Sequence, residues 1–194
     1  MTYNIVCIGA SWGGLRAVRQ LLGDIPEAVD QPIVIAQHRH RDGREGGLPE
    51  VMAQYTRRTV TDAEDKQPIE RNHIYFAPAD YHLLVERGSF ALSLEGRVHY
   101  ARPSIDVLFE SAADAYGPGV IGVILTGSNE DGATGLARIK ERGGVALVQE
   151  PTEAERPAMP EAAIAATVAD AVLPLDEIGK FIYGLCVQPA GSRT

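Results

Sequence analysis

Tyr3-Asn4-Ile5-Val6-Cys7-Ile8-Gly9-Ala10-Ser11-Trp12-Gly13-Gly14 is an apolar run that passes directly into a turn of small residues. Beyond it, Leu15, Val18, Leu21 and Leu22 recur at helical spacing up to Gly23, so the segment reads as strand, tight turn and helix. Glycines permit the backbone angles such a turn needs, and the helix beyond it begins with unpaired N–H groups. A serine here is lifted above a sheet edge, where a nucleophile can act. Ser11 is therefore the first candidate for chemistry, although the same turn also suits phosphate binding or a simple change of direction.

The pattern continues outward. Pro32–Gln37 is a second apolar strand, and Leu48, Val51, Met52 and Tyr55 fall at i, i+3, i+4, i+7 of a helix. Ser104 is placed as the N-cap of a helix carrying Ile105, Leu108, Phe109 and Ala112. Val120–Thr126 is almost continuously apolar, as in a strand covered on both faces. A helix from about Gly132 to Arg142, a strand Val145–Gln149, and a closing helix, strand and helix over 162–185 complete the series. This alternation predicts an α/β fold, a doubly wound and mostly parallel sheet with helices on both faces. Tyr81–Val85, Phe90–Leu94 and Arg97–Tyr100 interrupt it and predict a small antiparallel meander near residues 81–100. Arg57-Arg58 and Asp62–Asp65 read as solvated loop faces.

The bulk properties narrow the function. The 194 residues fit one domain with a full core, and 45% hydrophobic with 23% charged residues is ordinary for a soluble protein. A formal net charge of −8 argues against nucleic acid as partner. Two cysteines, Cys7 and Cys186, do not make a disulfide framework and point to a reducing compartment. No apolar stretch is long enough to insert in a membrane, and a strand begins within three residues of the start, so a cytoplasmic location is expected.

Three strand ends carry chemistry. Ser11 follows the first strand, His38 follows the second, and the long apolar strand runs into Gly127-Ser128-Asn129-Glu130-Asp131-Gly132. In a parallel sheet these ends share one edge, which gathers a hydroxyl, an imidazole and a carboxylate, the set that acyl transfer by serine requires. Each has a plainer reading: a turn hydroxyl, a packing histidine, and for Asp131 an N-cap of the helix that follows. His40, His73, His82 and His99 show no metal-ligand spacing, and no metal is expected.

Several further blocks, with those already quoted, carry a family resemblance. They are Ile35-Ala36-Gln37-His38, Ile74–Val85, Arg102-Pro103-Ser104-Ile105-Asp106-Val107-Leu108-Phe109, Leu125-Thr126-Gly127 with Asp131-Gly132-Ala133, and Met159-Pro160-Glu161-Ala162-Ala163. Together and in this order the chain resembles the catalytic domain of the chemotaxis protein-glutamate methylesterases, the CheB type. The resemblance covers about residues 4–180 and implies a catalytic domain over 1–186, while the Pro/Gly/Ser-containing stretch 187–194 reads as a frayed tail. It implies a triad of Ser11, His38 and Asp131, with the Ser128 backbone N–H in the oxyanion hole and no cofactor. The implied reaction is hydrolysis of glutamate γ-methyl esters, with deamidation of glutamine in some members, on the cytoplasmic region of a methylated chemoreceptor or another ester-bearing protein. Trp12 stands where the family commonly has threonine, and Arg39-His40 where Met-Pro is usual. Trp12 and Arg39 are thus expected to contact substrate. The family's common plan puts a phosphorylatable receiver domain first. No receiver domain is read in this sequence, so for a full-length chain the expectation is regulation in trans, regulation by expression, or constitutive activity, an excised domain being the alternative.

Overall fold

The computed structural model describes residues 3–38 and 47–187. Nine strands and six α-helices follow one another among these residues. They are β1 (Ile5–Ala10), α1 (Gly14–Asp24), β2 (Ile33–Gln37), α2 (Leu48–Met52), β3 (Thr59–Asp62), β4 (His73–Phe76), β5 (His82–Val85) and β6 (Phe90–Ser93). The second half holds α3 (Ile105–Tyr116), β7 (Val120–Ile124), α4 (Ala133–Glu141), β8 (Val145–Gln149), α5 (Ala158–Ala166), β9 (Ala171–Leu173) and α6 (Leu175–Val187). Seven strands form one sheet in the order β3-β4-β2-β1-β7-β8-β9, and every pairing in it is parallel.

Side-chain alternation along β1 divides the core. Ile5 and Cys7 face a layer built with Leu108, Phe109, Leu136, Ile139 and Met159, from α3, α4 and α5. Val6, Ile8 and Ala10 face the opposite layer, where Val18, Leu21, Met52, Ile178 and Ile182 bring in α1, α2 and α6. Helices therefore cover both faces, as the alternating pattern predicts, and β1 and β7 are buried along their whole length.

The connections fix where a site can lie. From β1 the chain winds to β2 and the β4/β3 edge, then returns to place β7 on β1's other side. That reversal opens a crevice at the carboxyl ends of β1 and β7. The registers Ala10↔Gln37 and Gly9↔Ile124 set the ends of β1, β2 and β7 side by side.

Some expectations change. The meander has two strands, β5 and β6, paired antiparallel. The third expected strand is a tight turn instead, closed by Val98 and Ala101, with His99 and Tyr100 at φ 47° and 62°. Positive φ at both central residues is the geometry of a two-residue hairpin turn. Arg97 holds the turn by donating to the Tyr100 carbonyl and to Asp80. Arg58 is buried at 5% exposure and donates to the Pro26 and Val29 carbonyls, so it ties a loop from within. Helix α2 gives way to a 3-10 turn at 53–55, leaving Val51 and Tyr55 exposed although their spacing suggested a core face. Arg39 and the tail from 188 lie outside the described residues.

Candidate active site

Ser11 sits on the turn between β1 and α1, and the turn is fixed from several sides. Its N–H donates to the Thr126 carbonyl, while its own carbonyl accepts from Gly14 N–H and from Gln37 Nε2. Gln37 Nε2 also donates to the His38 carbonyl, so one amide spaces the two segments. Gly13 adopts φ +77°, and a Cβ there would stand 2.8 Å from Glu155. Both facts require glycine beside the serine.

The expected line of side chains is present. His38 Nδ1 accepts from Ser11 Oγ at 3.0 Å, and His38 Nε2–H donates to Asp131 Oδ2 at 2.6 Å. Donation to the carboxylate fixes the tautomer that leaves Nδ1 free to take the serine proton.

Asp131 does not cap its own helix. Gly132 occupies that place at φ +99° with no side-chain cap. The carboxylate instead turns to the N-terminus of α3, accepting from Ile105 N–H at 2.8 Å, Asp106 N–H at 3.0 Å and Ser104 Oγ at 2.8 Å. Burial pushes its pKa up, but the His38 hydrogen bond and the Asp106 and Ile105 N–H groups outweigh this and hold it below the usual carboxylate range. Asp131 is thus an anion fully enclosed by donors. Ser104, the predicted N-cap, accepts from Val107 N–H as expected and also supplies one of those donors.

A cleft of about 770 Å³ opens over the serine, with Trp12, His38, Tyr100, Arg102 and Ser128 in its lining. The Ser128 N–H has no partner among the described residues. Trp12 is 59% exposed, donates Nε1–H to Glu155 at 3.1 Å, and lies under the Arg156 guanidinium at 5.6 Å. The loop carrying those two residues is joined to the site elsewhere: Thr126 Oγ1 donates to the Trp12 carbonyl and accepts from Arg156 N–H. His99, Asp106 and Asp131 place one ligand-type atom each within 4.8 Å of one another. Their oxygens are engaged, however: both oxygens of Asp131 accept two hydrogen bonds each, and Asp106 Oδ1 accepts from Gly132 and Gly135 N–H.

Comparison with known proteins agrees with this geometry. Residues 6–182 match the model of the CheB methylesterase family. The chain belongs to that family. A "Putative protein-glutamate methylesterase/protein-glutamine glutaminase" of Leptospira interrogans serogroup Icterohaemorrhagiae serovar copenhageni is 44% identical over 188 residues, covering 95% of this chain and 96% of that protein. "Protein-glutamate methylesterase FrzG" of Myxococcus xanthus is 40% identical over 91% of this chain, which spans about half (53%) of that longer protein. The crystal structure of the Thermotoga maritima CheB methylesterase catalytic domain superposes with TM-score 0.89 at 31% identity, covering 95% of this chain and all of that one. The CheB resemblance drawn from ordered motifs, and the α/β fold read from the alternation of strands and helices, are therefore correct.

Residue reasoning missed Gln37 as a spacer and Asp106 and His99 as neighbours of the carboxylate. Gln37 directly precedes His38 at a strand end, which was the signal available for it. Nothing in the spacing of His99 announced its place, because a tight turn and not a strand delivers it.

Proposed function

We propose that this CheB-family chain hydrolyses glutamate γ-methyl esters of a chemoreceptor's cytoplasmic region, with Ser11, His38 and Asp131 as its catalytic triad. The observation that carries the reading is the hydrogen-bonded line from the Ser11 hydroxyl through His38 to a buried, ionised Asp131, at the crevice where β1 and β7 part.

The steps follow from those contacts. Ser11 Oγ attacks the ester carbonyl as its proton passes to His38 Nδ1, and Asp131 stabilises the imidazolium through Nε2–H. In this reading the Ser128 N–H, on the turn after β7, donates to the oxyanion as charge develops. Collapse breaks the C–O bond to the methoxy group, which leaves as methanol with the proton from His38. Water then attacks the acyl-serine by the same route in reverse, giving glutamate and free Ser11. A glutamine side chain would pass through the same acyl-enzyme with ammonia as leaving group. Trp12, half-exposed beside the nucleophile, is the proposed wall against which the substrate segment packs.

Membership of the family supports a cytoplasmic setting, and no helix among the described residues is long and apolar enough to cross a membrane. The test is methanol release from methylated receptor by the wild-type chain and its absence with Ser11→Ala. Labelling of Ser11 by a fluorophosphonate without methanol release would keep the triad and reassign the substrate to another ester or amide. No labelling would leave a non-catalytic binding module.

A further inference from the structure

Two buried carboxylates meet where α3 and α4 begin, and each serves the other's helix. Asp131, just before α4, accepts from Ile105 and Asp106 N–H at the start of α3. Asp106, in the first turn of α3, accepts from Gly132 N–H at 2.9 Å and Gly135 N–H at 2.7 Å at the start of α4. The remaining Asp106 oxygen faces His99 Nε2 at 3.3 Å, and His99 Nδ1 faces Glu130 at 3.5 Å. A second imidazole–carboxylate pair therefore lies alongside the His38–Asp131 pair, and His99 lines the same cleft as Ser11.

We propose that Asp106, held by His99, is a positioning residue for the triad: its ionised carboxylate fixes the backbone at Gly132 and so the direction in which Asp131 meets His38. This inference rests on the triad reading above. Asp131 has the shortest possible tether to that anchor, since Gly132 is its neighbour in the chain. An ionised acceptor holds two N–H groups more strongly than a neutral one, so protonating Asp106 loosens the peptide that carries Asp131. Burial first, and the nearby Asp131 charge with it, push the Asp106 pKa up to about 6, while the Gly132 and Gly135 N–H groups and His99 act the other way.

The groups around the pair are few. The loop before α4 presents Glu130 and Asp131, with His38 beyond Asp131. Strand β5 presents His82, which accepts from Ser104 N–H and donates to the Gly96 carbonyl. The turn that carries His99 presents Arg97 and Arg102, both on Asp80.

The test is the rate of Ser11 labelling by a fluorophosphonate as a function of pH, in wild type, Asp106→Asn and His99→Asn. Asparagine at 106 keeps an acceptor for both N–H groups, and asparagine at 99 tolerates positive φ but is too short to reach Asp106. In wild type the acid limb is expected to fall more steeply than a single protonation allows, because Asp106 titrates within it. In Asp106→Asn it falls with a slope of about one, and labelling at pH 7.5 slows by about 10- to 100-fold, as expected of a displaced catalytic group. In His99→Asn, Asp106 loses the imidazole that opposes its raised pKa, and the limb moves to higher pH. His99 is on a surface turn, so this variant reports even if Asp106→Asn does not fold. A one-proton limb in wild type, or a limb unmoved in His99→Asn, overturns the inference while labelling itself upholds the triad. Wild-type labelling that is absent, or that persists in Ser11→Ala, overturns both.

Discussion

At the scale of single residues, the site depends on what each group is given to hold. His38 has one ring nitrogen on Asp131 and the other on Ser11, so it has no spare partner and one task. His38→Ala is expected to lower turnover by about 10⁴-fold or more in a folded protein, since triad members act as a unit. Initial rates with the circular dichroism spectrum unchanged would check this. Trp12 presents a different case, because its indole is anchored at both edge and face by Glu155 and Arg156 yet stays open to solvent. An aromatic contact of about 1 kcal/mol corresponds to about fivefold in binding. Trp12→Ala is therefore expected to raise KM for a receptor segment by about that factor while kcat changes less, read from steady-state kinetics.

At the scale of elements, the beginnings of α3 and α4 decide whether the triad forms. Gly132 sits at φ +99°, and a Cβ there would come within 2.6 Å of Ile105 and Ile124. Gly132→Ala combines backbone strain with a core clash and is expected to destabilise by about 1–3 kcal/mol, with labelling of Ser11 lost in the molecules that still fold. Ser104→Ala removes a helix cap for about 1 kcal/mol and takes a donor from Asp131 as well, so its rate loss should exceed that of a cap elsewhere. Urea midpoints and labelling rates of the two variants separate these effects. The start of α3 was legible as Ser104 before a helical repeat, and the bare triad was legible as three polar residues at three strand ends. What was not legible is that Asp131 reaches across to α3 and Asp106 back to α4. Such crossing depends on how two helices pack, and neither sequence segment contains the other's coordinates. Strand β3 was not legible for a related reason: Thr59–Asp62 is short, half-exposed and polar, and acquires strand geometry from pairing with β4, so Asp62 ends a strand where a solvated loop was expected.

At the scale of the whole molecule, charge placement near the crevice opposes stability. A carboxyl whose pKa is about 3.8 in the unfolded chain and about 6 when folded binds its proton more tightly in the native state. Such a group favours folding at low pH and withdraws that support as pH rises from near 4 to above 6, by about 3 kcal/mol in all. Asp131 has the opposite sign, with a lowered pKa that stabilises the fold above the usual carboxylate range and is lost in stronger acid. Relative to wild type, Asp106→Asn should therefore gain stability as pH is raised from 4.5 to 7, checked by chemical denaturation at both values. Asp106 thus weakens the fold at neutral pH yet stays buried against Asp131 and His99, which fits the positioning role proposed for it. The threonine at 126 has a consequence at this scale too. Because its hydroxyl clips the peptide of Trp12 to that of Arg156, three stretches distant in sequence meet at one side chain. A change anywhere in the 155–156 stretch is thus transmitted to the indole beside Ser11, so the threshold a visiting polypeptide crosses is set by residues remote from the chemistry.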